Sequence, residues 1–130
     1  MLTLIEIFSI ITIHWLSDFV LQTEQQGKGK SKNWSDLLSH TGTYSLTWYI
    51  PILFFFPNNW IGAKLVIMSF IFVGITFIAH TITDYFTSRI TSKRYQNNHF
   101  YGLNGFWFWI GLDQILHYIQ LFLTYYLLTK

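Results

Sequence analysis

The stretch Ile10-Ile11-Thr12-Ile13-His14-Trp15-Leu16-Ser17-Asp18-Phe19-Val20-Leu21 places an imidazole and a carboxylate inside an otherwise apolar run. His14 and Asp18 are four residues apart, an offset that puts both side chains on one face of a helix, one turn apart. The same pair returns as His80 and Asp84 and, reversed, as Asp113 and His117. Asp18, Asp84 and Asp113, the aspartates within the long apolar stretches, thus each have a histidine four residues away, and His40 adds a further group of the same kind. Carboxylates in apolar surroundings are costly and normally face an interior, where they are paired or serve a site.

Composition gives the reason to expect such surroundings. The 130 residues suit one domain, with 52% hydrophobic, 21% aromatic and only 11% charged residues. A typical soluble domain carries about a quarter charged residues, so lipid is the expected solvent for much of this surface. Four stretches, 2–21, 37–56, 60–86 and 106–128, approach the roughly 20 residues that cross a bilayer core. The expected fold is all-α, an integral membrane four-helix bundle forming a single transmembrane domain. The first stretch lacks a basic leading segment and a small-residue cleavage site, and reads as a retained helix rather than a signal peptide. A net charge of +2 without a basic patch gives no reason to expect nucleic acid as a partner. The absence of cysteine excludes thiolate metal sites, disulfides and thiol catalysis.

Between these stretches, residues 22–36 and 91–105 read as loops. Asn33 or Ser35 is expected to cap the second helix, with Asp36 favourable at its positive end. Pro51 removes a backbone donor and should bend that helix, leaving the Thr47 carbonyl without its usual partner. Pro57-Asn58-Asn59 forms a turn, Trp60 is a candidate interface anchor, and Asn104 is a candidate start for the fourth helix. With four spans, both loops share one side, which holds Lys28, Lys30, Lys32, Arg89, Lys93 and Arg94 against Lys64 and Lys130 opposite. The positive-inside rule then makes the loop side cytoplasmic and both termini non-cytoplasmic.

Residues on different helices share a ligand only at similar depth. At about 1.5 Å per residue, every His and Asp of the set except the deeper His117 falls in one slab of the loop-side half. The fourth helix runs opposite to the first and third, and its reversed motif keeps its Asp nearer the loop side. His14, Asp18, His80, Asp84 and Asp113 are therefore candidate metal ligands, with His40 and His117 as further ligand or general base. Imidazole with carboxylate suits Zn, Mn, Fe or Ni, and so many groups allow two ions. Arg89 and Lys93, one to two turns beyond Asp84, are candidate phosphate-binding residues. Two structural alternatives stay open, polar pairs that merely join helices and histidines that clamp haem. His14-Trp15-Leu16-Ser17-Asp18-Phe19 also aligns with His80-Thr81-Ile82-Thr83-Asp84-Tyr85, which suggests two helical hairpins in a pseudo-repeat.

The ordered set His14, Asp18, Phe19 and Gln22, a Lys-rich loop, Leu38-Ser39-His40, His80 with Asp84, and Leu112-Asp113-Gln114 with His117 resembles a family of small bacterial and phage membrane proteins. That family is known only as a domain of unknown function. A looser likeness links the chain to membrane-bound metal-dependent hydrolases, which carry intramembrane His and Asp. Cation diffusion facilitators offer another: their H-x-x-x-D helices form a tetrahedral transport site that His14, Asp18, His80 and Asp84 would fit. This chain has fewer spans and surplus ligands for such a site. The leading expectation is a metal-dependent hydrolase acting on a lipid or lipid-linked phosphate or ester at the cytoplasmic leaflet. Its alternatives are a divalent-cation transporter and a non-enzymatic membrane protein of holin or immunity type. Membrane lipid is the expected partner, and a homo-oligomer is left open.

Overall fold

The computed structural model describes residues 2–130, and among them every regular element is helical. Helix α1 (Leu4–Trp15) starts at a capping box: the Thr3 hydroxyl accepts from the Glu6 N–H, and the Glu6 carboxylate accepts from the Thr3 N–H. It runs directly into a π-helical turn, Leu16–Val20, closed where the Leu21 N–H donates to the Leu16 carbonyl at 2.9 Å. Helices α2 (Glu24–Gly29), α3 (Trp34–Thr47), α4 (Tyr49–Phe55), α5 (Gly62–Gln96) and α6 (Phe106–Thr129) follow. Helix α5 is the spine, since α3, α4 and α6 all pack against it.

The interior has two zones. At one end Ile10, Tyr44, Trp48, Ile52, Phe56, Phe72 and Leu121 form an apolar core. Leu2, Trp60 and Leu128 pack onto that core, so both chain ends lie at this pole. Towards the other pole the buried side chains become polar. The buried stripe of α5 shows the change: Ser69, Phe72, Thr76, His80, Asp84, Thr87 and Thr91 follow one another at steps of three or four. Helix α2 covers this polar end, fastened to α3 by Gln25 donating to Asp36 at 3.0 Å and Gln26 donating to Ser39 at 2.8 Å.

The expected four-helix integral membrane bundle is not what the chain forms. Among the described residues one helix, Gly62–Gln96, is long and apolar enough to cross a membrane. The first stretch yields a 12-residue α-helix that widens into the π turn. The second divides at Trp48 into helices of 14 and 7 residues. Pro51 is the physical cause, because without an N–H it leaves the Thr47 carbonyl no partner in an α ladder. The fourth gives a 24-residue helix whose apolar sequence is broken by Asp113, Gln114, His117 and Gln120. The pseudo-repeat of two hairpins fails for a related reason. His80 and Asp84 lie in an unbroken 35-residue helix, whereas the aligned segment around His14 and Asp18 does not stay α-helical.

The loop boundaries also shift. Residues expected as loop contain α2, which begins at a capping box between Thr23 and Gln26. Asn33 is the cap of α3, accepting from the Asp36 N–H at 2.8 Å. Helix α6 follows Gly105 rather than Asn104, whose side chain instead accepts from Trp109 Nε1 at 2.6 Å.

Gly29 marks the closest approach of α2 to α3, since an added Cβ would fall 1.7 Å from Asp36 Oδ2. Gly29→Ala should therefore destabilise the protein by about 1–3 kcal/mol, as overpacking does. Gly42→Ala, where a Cβ meets nothing within 4 Å, should be neutral or stabilising by up to about 1 kcal/mol. Thermal unfolding of the two variants side by side checks this, and equal melting temperatures would remove the tight α2–α3 contact.

Candidate metal centre

The polar pole brings together acids and imidazoles from the π turn, α3, α5 and α6. His40 Nε2 lies 3.1 Å from Asp18 Oδ1 and 3.1 Å from Asp84 Oδ2. His80 Nε2 lies 3.6 Å from Asp18 Oδ1 and 3.7 Å from Asp84 Oδ2. One ligand atom from each of Asp18, His40, His80 and Asp84 falls within 4.8 Å of all the others, and all four residues are buried. Ligand atoms about 2.1 Å from a tetrahedral ion stand about 3.4 Å apart, which is the spacing these pairs adopt. These buried groups could hold a metal ion.

A second group adjoins the first. One ligand atom from each of Asp18, Asp113 and His117 likewise lies within 4.8 Å of the others, and all three residues are buried. His117 Nε2 is 3.3 Å from Asp113 Oδ1 and 3.2 Å from Asp84 Oδ1. Asp18 is common to both groups, while Asp84 turns one oxygen to His40 and His80 and the other to His117. Asp18 and Asp84 thus each face both groups.

The surrounding residues fix these ligands. The Gln114 amide N–H₂ donates to Asp18 Oδ2 and to Asp113 Oδ2, each at 3.1 Å. Its carbonyl is thereby left to accept from His14 Nε2 at 2.9 Å, so His14 Nδ1 accepts from the Tyr44 hydroxyl at 2.7 Å. The Tyr44 ring stacks on His80 at 3.8 Å, and His80 stacks on His117 at 4.0 Å. Thr87 donates to Asp113 Oδ1. Such outer contacts orient metal ligands and set their tautomers.

Lys30 completes the cluster. Its Nζ donates to Asp84 Oδ2 at 2.9 Å and lies 3.3 Å from His40 Nε2. Burial pushes the Lys30 ammonium down, but the Asp84 and Asp18 charges outweigh it and hold its pKa above the ordinary lysine value. Beside the cluster opens a cleft of about 510 Å³. Asp18, Asp84, Asp113 and Gln114 line it together with Lys30.

The sequence-expected residues divide among these positions. Asp18, His80, Asp84 and Asp113 come together as ligand candidates, and His40 and His117 stand among them. His14 lies outside both groups, engaged with Tyr44 and Gln114. The π turn is the reason: its wider helical period takes Asp18 out of the register that an α-helix would share with His14. Arg89 stacks over the Tyr85 ring at 3.7 Å and donates to the Tyr85 carbonyl at 2.8 Å, and Lys93 is exposed. Neither lines the cleft. Sequence reasoning missed Lys30, Tyr44 and Gln114 as parts of the site. Only Gln114 carried a signal, as the amide next to Asp113 in the motif that ends at His117.

Fold and site together define an all-helical protein with buried His/Asp groups suited to a metal ion. The chain belongs to the family described as "Protein of unknown function (DUF3307)", whose profile matches residues 7–130. No curated protein and no solved structure matches the chain.

The two kinds of position separate by mutation. His14→Ala should keep the metal stoichiometry of the native chain and weaken affinity by about 10–100-fold, the usual effect of losing an outer-shell partner. Asp84→Asn, which faces both groups, should abolish stoichiometric binding. Equilibrium dialysis with elemental analysis reads both variants, and complete loss of metal in His14→Ala would make His14 a direct ligand.

Proposed function

We propose that this protein is a metal-dependent hydrolase that acts at a membrane on a lipid or lipid-linked phosphate or ester, using up to two divalent ions of Zn, Mn or Fe. One observation carries the proposal: two ligand groups that share Asp18 border a cleft large enough for a head group. Bound ions of this kind lower the pKa of a coordinated water to about 7 and polarise the bond to be cut. The chain's own contribution is placement. Asp18 and Asp84 hold the two sites side by side, Gln114 fixes Asp18 and Asp113, and the Tyr44–His80–His117 stack backs the imidazoles.

The membrane setting draws on the outer surface. Helix α5 is apolar enough to cross a bilayer. Its outward side chains Ile67, Phe70, Ile78, Ile82 and Phe86 are each more than half exposed, and apolar exposure on that scale marks a surface that meets lipid or protein. The basic residues Lys28, Lys30, Lys32, Lys93 and Arg94 are placed by α2 and the end of α5, at the polar pole. By the positive-inside rule that pole faces the cytoplasm of a bacterial cell, with the termini at the opposite pole non-cytoplasmic. A transport path would have to continue through the packed core of Trp48, Ile52, Phe56, Phe72 and Leu121. This favours chemistry at a cleft over passage of an ion.

Purified protein loaded with Zn, Mn or Fe should hydrolyse a phosphate or ester lipid presented in micelles, and chelation should stop turnover. Asp18→Asn should lower kcat by at least about 100-fold, the scale of losing one preorganised electrostatic group. Tight metal binding without turnover of any phosphate or ester lipid would overturn the proposal, and metal flux in proteoliposomes would replace it with transport.

A further inference from the structure

We propose that the cleft is a subsite for a phosphate group, held by Lys30 and Ser88 after a divalent ion has taken Asp84 and His40 from Lys30. The inference rests on the hydrolase reading and narrows its substrate from phosphate or ester to a phosphate ester.

Lys30 is the first support. Its ammonium engages Asp84 Oδ2 and approaches His40 Nε2, two atoms that belong to the first ligand group. A dication and an ammonium cannot both occupy those atoms, because they repel at contact distance and compete for the same lone pairs. Lys30 also lines the cleft, so an ammonium displaced from Asp84 stays in the space where a substrate would sit.

Ser88 is the second and independent support. It lines the same cleft and is 9% exposed, yet its hydroxyl has no hydrogen-bond partner. Its neighbours on the stripe behave differently. Thr87 donates to Asp113 and lies within reach of the Thr83 carbonyl, while Thr91 donates to the Thr87 carbonyl at 2.8 Å. A buried donor without a partner is costly, and a phosphate oxygen would supply the missing acceptor.

Charge decides the ligand class. Three buried carboxylates face one ammonium in the cluster. Two divalent ions would bring four positive charges to these three carboxylates and leave the cluster positive, with Lys32 adding positive charge along the cleft wall. A neutral carboxylic ester gains little from such a field, whereas a phosphate ester gains at every oxygen. Phe19, Phe106 and Ile110 supply apolar wall beside the polar part, room for an alkyl chain on the same phosphate.

The test uses the full chain in detergent, with Mn²⁺ as the metal, and inorganic phosphate and dihexanoyl phosphatidic acid as ligands in titration calorimetry. Native protein with Mn²⁺ should bind phosphate at least tenfold more tightly than metal-free protein. Lys30→Met should bind Mn²⁺ with unchanged stoichiometry and equal or higher affinity, but phosphate about 10–100-fold more weakly, as expected for a lost charge-assisted contact. Ser88→Ala should leave Mn²⁺ binding unchanged and weaken phosphate about 3–10-fold. Unchanged phosphate affinity in both variants overturns the subsite and leaves the metal centre standing, as does a lower Mn²⁺ stoichiometry in Lys30→Met. Failure of native protein to bind Mn²⁺, Zn²⁺ or Fe²⁺ at all overturns the hydrolase reading itself. Lys30-dependent binding of the lipid at least tenfold tighter than inorganic phosphate supports the subsite with a lipid head group as its source. Equal affinities support it with a soluble phosphate.

Discussion

Three carboxylates buried side by side are the constraint to which the rest of the polar pole answers. Removing one charge from water costs several kcal/mol even after relaxation, and like charges at close range add to it. Asp18, Asp84 and Asp113 are at most 8% exposed, so each needs compensation from protein or ion. The chain supplies it in layers. Nε2 atoms of His40, His80 and His117 face the carboxylate oxygens, Gln114 donates to two of the acids, and Lys30 reaches in from beside α2. Local features of the fold serve that arrangement. The Thr23 capping box starts α2, the close pass of Gly29 by Asp36 seats it on α3, and Lys30 follows one residue later.

How much of the site could be read from residue spacing depended on helix type. His80 with Asp84 and Asp113 with His117 lie in uninterrupted α-helices, so a four-residue offset does bring each pair together, at 3.7 and 3.3 Å. His14 and Asp18 have the same offset, but Asp18 lies within the π turn, and no composition or period in that stretch announces a π turn. The depth expected for His117 was too great by the same logic of straight rods. Counting rise per residue ignores how α6 packs on α5, and His117 in fact stacks on His80. Lys30 was legible only as one of three lysines in a polar segment, because its burial depends on where α2 docks. The T-x-x-Q box that starts α2 was present in the sequence as Thr23-Glu24-Gln25-Gln26, and it alone could have replaced the expected loop by a helix.

The fold was overread for a related reason. Averaging hydropathy over windows of about 20 residues treats an apolar stretch as one rod, whereas Pro51 cuts one stretch and the π turn ends another. What the averages did capture is the distribution of polarity between inside and outside. Ile5, Phe54, Ile78 and Leu127 stand largely exposed, while Thr76, His80, Asp84 and His117 are buried. Serine and threonine hydroxyls at Ser17, Ser45, Ser69 and Thr91 return to backbone carbonyls four residues back, which satisfies them inside the bundle without outside partners.

The same distribution explains why a lysine, and not another histidine, closes the cluster. An ammonium about 4 Å from a carboxylate gains about 4 kcal/mol at an effective dielectric of about 20, enough to offset much of the burial of both. A divalent ion at the same carboxylate gains about twice that, before counting its bonds to the two imidazoles. On Coulomb attraction alone, a divalent ion would displace the ammonium under the proposed exchange. The displaced side chain, a flexible four-carbon stem with an unsatisfied charge, needs a new anion within its reach. A histidine in its place could lose its proton and become one more ligand, leaving no cation to offer. Lysine would keep its charge on leaving Asp84, so under the proposed exchange occupation of the ligand groups and the appearance of a free positive charge in the cleft would be one event.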